Sequence, residues 1–317
     1  MISFPDDINR TYDRCKDIIR WTPLEHSPYL STLINGDVYL KLENIQKTGS
    51  FKFRGAVSKM TSLNDEEKSM GVVTASTGNH GAACSLAMSI LGIDGKIIVP
   101  DNVHKNKVDN ILNLGGEVEY HGNDCLIAEE RAQEISSNTG ANYISPYNDP
   151  AIVCGQGTIG YELNQDLKNI DSVFVSVGGG GLISGIGGYL KSVQNQVKMI
   201  AVSPKNSCVM FESIKAGKQL DLPSEPTLSD GTAGGVEVGS ITFALCQEII
   251  DEFILVDEED ISEGIRLGIE KLHQLIEGAA GAAIAGFLQK KDDLKGQTVI
   301  IIICGGNISS EVIKLVL

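Results

Sequence analysis

No pair of the seven cysteines, scattered at positions 15, 84, 125, 154, 208, 246 and 304, has CxxC spacing. That excludes a zinc knuckle. An odd, unpatterned set is no disulfide framework either, so the thiols are read as reduced groups of a cytoplasmic protein. Long hydrophobic runs are also missing, and the most apolar stretches, such as 299–304, have strand length, far short of the roughly 20 residues of a membrane span. The opening residues, MISFPDDINRTYDRCKD, are polar and acidic without an apolar centre, which excludes a secretory signal. Positive charge is in deficit. With 26 Lys and Arg against 41 Asp and Glu the net charge is −15, a field that repels nucleic acid and anionic membranes, and neither is expected as a partner. No GxGxxG fits the glycine-rich turn at 178–181 and no GxxxxGK[ST] occurs, which argues against dinucleotide and P-loop sites. Internal repeats and low-complexity segments are absent.

What is present is glycine. The chain has 35 in 317 residues, well above the roughly 7% of average usage, which implies many tight backbone approaches. The length suits two lobes or one large α/β domain, and 42% hydrophobic residues are enough for a sizeable core. Apolar runs of strand length at 38–42, 71–75, 96–100, 117–120 and 142–144 alternate with helical periodicity at 79–91, 105–114 and 125–136. Such alternation indicates βαβ units and parallel sheet. Tyr147-Asn148-Asp149-Pro150 is a turn cluster at which the pattern restarts. Helix 152–167, strand 172–177, a helix from about 182, strand 199–203 and helix 207–215 follow. A Gly/Pro/Ser-rich loop at 219–239, strand 253–256, helices from 258 and 279 and strand 298–304 complete the chain. Two such runs predict two open, mainly parallel-sheet α/β lobes, a large one of 1–45 with 149–317 and a small one of 46–148. A ligand is expected in the cleft between them, at the carboxyl ends of strands.

Four stretches carry the chemistry. In SFKFRGA, Lys52 stands between Phe51 and Phe53 where a helix could begin. An amine partly desolvated there has a lowered pKa and serves as a Schiff-base nucleophile, although a lysine between aromatics also suits a snorkelling side chain. Gly178, Gly179, Gly180 and Gly181 lie between a Val-rich strand and a helix starting near Leu182. Bare backbone N–H groups and a helix N-terminus form an anion cradle, and a phosphate is the natural guest. Four glycines exceed what a tight strand-to-helix turn needs. Ser76-Thr77-Gly78-Asn79-His80-Gly81 follows a strand and opens a helix, converging hydroxyls, an amide and free N–H groups on one point that suits a carboxylate or a phenolic oxygen. Ordinary N-capping explains one of these residues, not the run. His80 alone reads as a hydrogen-bonded structural imidazole. Cys304 ends the last strand before Gly305-Gly306-Asn307, as a small core residue or a ligand contact.

SFKFRGA, STGNHG, SVGGGGLISG and CGGN, in this order, together with GQGTIGYEL at 155–163 and IEGAAGAA at 276–283, resemble the serine/threonine dehydratase and serine racemase group of pyridoxal-phosphate enzymes, of the tryptophan synthase β fold type. The resemblance spans almost the whole chain. It implies pyridoxal 5'-phosphate held as a Schiff base on Lys52, Phe51 beside its ring, Asn79 on the phenolic oxygen, Gly178 to Leu182 on the phosphate and Cys304 at the ring nitrogen. Ser76, Thr77, Asn79 and His80 would receive the substrate carboxylate, and Glu277 would lie near the ring. A thiol is a weaker donor than an aspartate, so the ring becomes a moderated electron sink, which favours β-elimination over transamination.

The implied reaction is dehydration and deamination of a β-hydroxy amino acid such as L-threonine or L-serine to a 2-oxo acid and ammonia, in a cytoplasmic homodimer. Rivals are an amino-acid racemase, a dehydratase for a bulkier 3-hydroxy amino acid whose side-chain pocket is shaped by the loop 229–243, and a non-catalytic binding protein that keeps the fold. Three departures from the group stand out. Thr77 replaces the alanine common in dehydratases and the serine of racemases, and so leaves an acid available on the face opposite the lysine. The segment 203–209 lacks the carboxylates that hold a divalent cation in relatives, so no metal is expected. The chain also stops soon after CGGN, so the regulatory domain of biosynthetic threonine dehydratases is expected to be missing.

Overall fold

The computed structural model describes residues 2–103 and 105–317. Among the described residues ten strands form two sheets: β1 (Leu24–His26), β2 (Asp37–Leu42), β3 (Val72–Ala75), β4 (Gly95–Val99), β5 (Glu117–Tyr120), β6 (Asn142–Tyr143), β7 (Ser172–Ser176), β8 (Lys198–Pro204), β9 (Glu252–Val256) and β10 (Thr298–Ile303). The six-stranded sheet has the order β1-β2-β10-β7-β8-β9 and the four-stranded sheet β5-β4-β3-β6. Every pairing is parallel except β1 with β2. The predicted parallel α/β architecture with two sheets is therefore what the chain forms.

The strands read as continuous apolar runs because helices cover both faces of the larger sheet. Val299 to Ile303 of β10 are wholly buried, and the largest core cluster surrounds them. A second cluster joins the helices Lys52–Ser62 and Asn79–Leu91 to β3 and β4.

GQGTIG at 155–160 has the spacing of a dinucleotide turn, yet it lies within the helix Pro150–Asp166. Its glycines serve packing. A Cβ on Gly155 would stand 2.6 Å from the Arg54 carbonyl oxygen and one on Gly160 2.9 Å from that of Ile186. Much of the glycine excess thus brings helix backbones together, and only part of it belongs to a ligand site.

Several expectations need adjustment. The helix after the turn cluster begins at Pro150, because the Asp149 carboxylate caps it by accepting from Ala151 N and Ile152 N. The helix expected at 207–215 is Val209–Ala216, preceded by a 3-10 turn. Short elements with weak periodicity escaped the sequence reading: β1 and the helices Pro28–Ile34, Asp65–Ser69, Ile241–Ile249 and Ser310–Val316. Among the described residues no helix is long and apolar enough to cross a membrane.

Candidate active site

The carboxyl ends of β3, β6, β7 and β10 meet around a cavity of about 610 Å³. Every site residue singled out from sequence lines it: Phe51, Lys52, Ser76, Thr77, Asn79, His80, Gly178, Gly179, Gly180, Gly181, Leu182 and Cys304. A shallower hollow of about 420 Å³ beneath the small sheet, lined by Lys96, Glu119 and Arg131 among others, gathers none of them.

Lys52 opens the helix Lys52–Ser62, and the segment before it is clamped to the turn after β10. Phe51 N donates to Cys304 O at 3.0 Å, and Ser50 bridges Gly305. From the other side the helix is anchored by Arg54, whose guanidinium is fully buried between Glu43 (2.8 Å) and Glu162 (2.6 Å). Lys41 closes this four-charge cluster at 2.6 Å from Glu162. The Lys52 amine donates to the Pro146 carbonyl oxygen at 2.9 Å and stands 5.2 Å from the centre of the Phe51 ring. Burial without a carboxylate partner lowers its pKa to about 8, which leaves an appreciable neutral fraction near pH 7.5.

In the run after β3, Ser76 Oγ accepts from Gly78 N at 3.2 Å, and the helix Asn79–Leu91 starts with free N–H groups towards the cavity. The His80 imidazole turns away from that point. Its Nε2 meets the Ile144 carbonyl oxygen at 2.9 Å, and burial, with Lys52 nearby, pushes its pKa down to about 3. The imidazole is thus the hydrogen-bonded structural group read from the sequence, and what His80 offers an anion is its main-chain N–H.

The four-glycine turn has no room for side chains. A Cβ on Gly178 would lie 2.7 Å from Thr232 O, one on Gly179 would overlap the Tyr147 ring, and Gly180 has φ +82° with Cys246 Sγ 2.5 Å from its Cβ position. The turn presents bare peptide groups at the head of the helix Gly181–Val193, an arrangement able to hold an anion.

Cys304 is buried, and burial keeps its thiol protonated far above the usual range, while Ser176 Oγ donates to its sulfur at 3.4 Å. Glu277 precedes the helix Gly278–Lys290, and burial raises its carboxyl to about 7. It accepts from Asn79 Nδ2 at 2.9 and 3.0 Å and from Asn307 N at 3.1 Å.

The sequence reading missed Pro146, Tyr147, Asn307 and the Arg54 cluster. The turn signal at 147 and the asparagine of CGGN hinted at Tyr147 and Asn307, whereas nothing local marked the partners of Arg54. Among the described residues no group of three or more His, Cys, Asp or Glu side chains is placed to hold a metal ion.

A family model described as "Pyridoxal-phosphate dependent enzyme" matches residues 16–305. The chain belongs to the pyridoxal-phosphate dependent enzymes. Among its relatives in this family, the L-threonine ammonia-lyase of Thermotoga maritima is 40% identical over 312 residues, 98% of this chain and 77% of that one. The catabolic L-threonine dehydratase TdcB of Escherichia coli is 38% identical over 305 residues, 96% of this chain and 92% of that one. The structure of the processed form of threonine deaminase isoform 2 from Solanum lycopersicum superposes with a TM-score of 0.93 at 34% identity, covering 99% of this chain and 88% of that one. That of maize serine racemase gives 0.91 at 31%, covering 98% and 95%.

The cavity fits the family's cofactor. It combines a side-chain-free anion cradle, an amine with lowered pKa that can condense with an aldehyde, and a volume within the ordinary range for a small-molecule site.

Proposed function

We propose that the chain is an ammonia-lyase that eliminates water from a β-hydroxy amino acid, L-threonine or L-serine, and yields a 2-oxo acid and ammonia. The observation that carries this reading is the convergence of Lys52, its amine hydrogen-bonded to the Pro146 carbonyl, and the bare turn Gly178–Gly181 on one cavity. When bound, pyridoxal 5'-phosphate supplies an electron sink next to the substrate Cα. Gly178 to Leu182 would hold its phosphate, Phe51 its ring and Asn79 its phenolic oxygen.

Ser76, Thr77 and the main-chain N–H groups of Asn79 and His80 receive the substrate carboxylate and orient the Cα–H bond. The Lys52 amine takes the Cα proton, which suits a base with a pKa of about 8. Cys304, a thiol that burial keeps protonated, would face the ring nitrogen as a weak donor, which favours elimination. The cleft separates a large lobe, 1–45 with 149–317, from a small lobe, 46–148. The close relatives named threonine ammonia-lyase or dehydratase support this choice of reaction.

Racemisation is the second reading, favoured by the Thr77 hydroxyl on the cavity wall and the likeness to maize serine racemase. A panel of L- and D-3-hydroxy amino acids, assayed for both oxo acid and the opposite enantiomer, separates the two. Enantiomer formed faster than oxo acid overturns the lyase. The seven free thiols, five of them buried, support a reducing cytoplasmic setting. A homodimer is the assembly proposed by likeness to the family, and sedimentation equilibrium tests it.

A further inference from the structure

We propose that Asn307 is a positioning residue that fixes which end of the Asn79 carboxamide faces the cavity. The inference rests on the pyridoxal-phosphate reading of that cavity and deepens it. Asn307 Nδ2 has two oxygens in range, the main-chain oxygen of Thr48 at 3.0 Å and Oδ1 of Asn79 at 2.6 Å. A peptide carbonyl has no proton to give, so whatever faces Thr48 O must donate, and only the NH2 end of Asn307 can do so. The same NH2 reaches Asn79, which must answer with its oxygen. The NH2 of Asn79 is thereby turned the other way, into the cavity wall, where it meets the two carboxylate oxygens of Glu277 at 2.9 and 3.0 Å.

The polarity of one backbone carbonyl is thus passed through two carboxamides to the site. The surroundings hold the relay in place. Gly49, at φ +75°, leaves room for the Asn307 side chain, since a Cβ there would lie 2.6 Å from Asn307 Oδ1. Gly306 N donates to Gly49 O at 2.9 Å, and Asn307 N donates to Glu277 Oε2 at 3.1 Å.

The two ends of a carboxamide differ in hydrogen bonding and hardly in shape, and Glu277 holds the NH2 end of Asn79 only while its carboxyl is ionised; once protonated, near pH 7, it can donate to the oxygen end instead, so Asn79 without Asn307 has a second orientation open to it. Flipped, it would offer a lone pair where the cofactor's phenolic oxygen needs a donor, which replaces an attraction by a repulsion. Asn307 therefore acts on cofactor affinity and on the electronic state of the bound ring through Asn79.

The test uses the full chain stripped of cofactor and titrated with pyridoxal 5'-phosphate by absorbance, as wild type, Asn307→Asp and Asn307→Leu. Aspartate keeps the shape but puts an acceptor where the donor stood, so Asn79 is driven to flip; leucine keeps the shape and removes both polar ends. The expected result is uptake weakened about tenfold or more in Asn307→Asp with a shifted visible band, and a smaller loss in Asn307→Leu. Asn307 is exposed overall, and chemical denaturation of both variants separates a loss of folding from a loss of cofactor affinity. Wild-type affinity and band in Asn307→Asp, or a loss in Asn307→Leu as large as in Asn307→Asp, would overturn the inference alone. Failure of wild type to take up cofactor would overturn the underlying reading together with it. Should the aspartate variant not fold, Asn307→Ser, too short to reach both oxygens, is expected to weaken uptake and shift the band, and wild-type behaviour there sinks the proposal equally.

Discussion

Lys52 Nζ donates its 2.9 Å hydrogen bond to the peptide oxygen of Pro146, not to a carboxylate. A neutral acceptor stabilises the ammonium far less than an ion pair would, so burial dominates and the amine titrates at about 8. Uptake of pyridoxal 5'-phosphate by the stripped protein should accordingly accelerate with rising pH and level off above about 8, since only the neutral amine attacks the aldehyde. At pH 7.5 roughly a quarter of the amine is reactive, against about a thousandth for an ordinary lysine. A rate still climbing towards pH 10 would contradict this, and stopped-flow absorbance reads it directly.

Replacement of Lys52 by Ala removes the nucleophile and the base together. The visible band of the loaded protein should vanish, and turnover of L-threonine should fall by at least about 10³-fold. Persistent oxo-acid formation would place the chemistry on another residue.

Gly179→Ala sets a methyl group against the Tyr147 ring in the proposed phosphate cradle. We expect a stability loss of about 1–3 kcal/mol and cofactor affinity lowered by roughly tenfold or more. Chemical denaturation and an absorbance titration measure the two effects separately, and unchanged affinity would move the phosphate elsewhere.

Arg54→Ala leaves Glu43 and Glu162 buried with Lys41 as their one remaining cation in that cluster. Breaking a buried ion cluster on one side costs about 3–5 kcal/mol. Urea unfolding midpoints should show it, and a loss below about 1 kcal/mol would mean that water reaches the site and screens the charges.

Glu277 has its folded pKa raised from 4.5 to about 7, so the folded state holds a proton that the unfolded chain has released between those values. The resulting stability is fully present below pH 4.5 and lost as pH rises through about 7. Glu277→Gln should flatten this part of the stability profile of the cofactor-free protein and gain on the order of 1–3 kcal/mol relative to wild type above neutrality. Identical pH profiles for the two proteins would show that the carboxyl is ionised throughout.

The lysine between two phenylalanines, the four glycines after a valine-rich strand and the hydroxyl-rich run opening a helix were legible because each is a local pattern with a local consequence. Strand ends and helix starts came out within a few residues for the same reason. The weak elements, such as β1 with three residues, have too little periodicity to register. GQGTIG marks where the reading of glycine needed the fold: the same spacing serves phosphate binding after a strand and helix packing inside a helix.

By itself the sequence determined the α/β alternation and singled out the lysine and the four-glycine turn that line one cavity, since propensity, periodicity and the missing Cβ act over a few residues. Only the tertiary structure decided that β2 and β10, from opposite ends of the chain, lie side by side. It likewise decided that Arg54 finds Glu162 108 residues away, and that Asn307 meets Asn79 228 residues away. Those pairings, and the burial that moves Lys52 and Glu277 from their ordinary pKa values, arise from how whole faces pack and exclude water. That is a property of the assembled chain and of no segment within it.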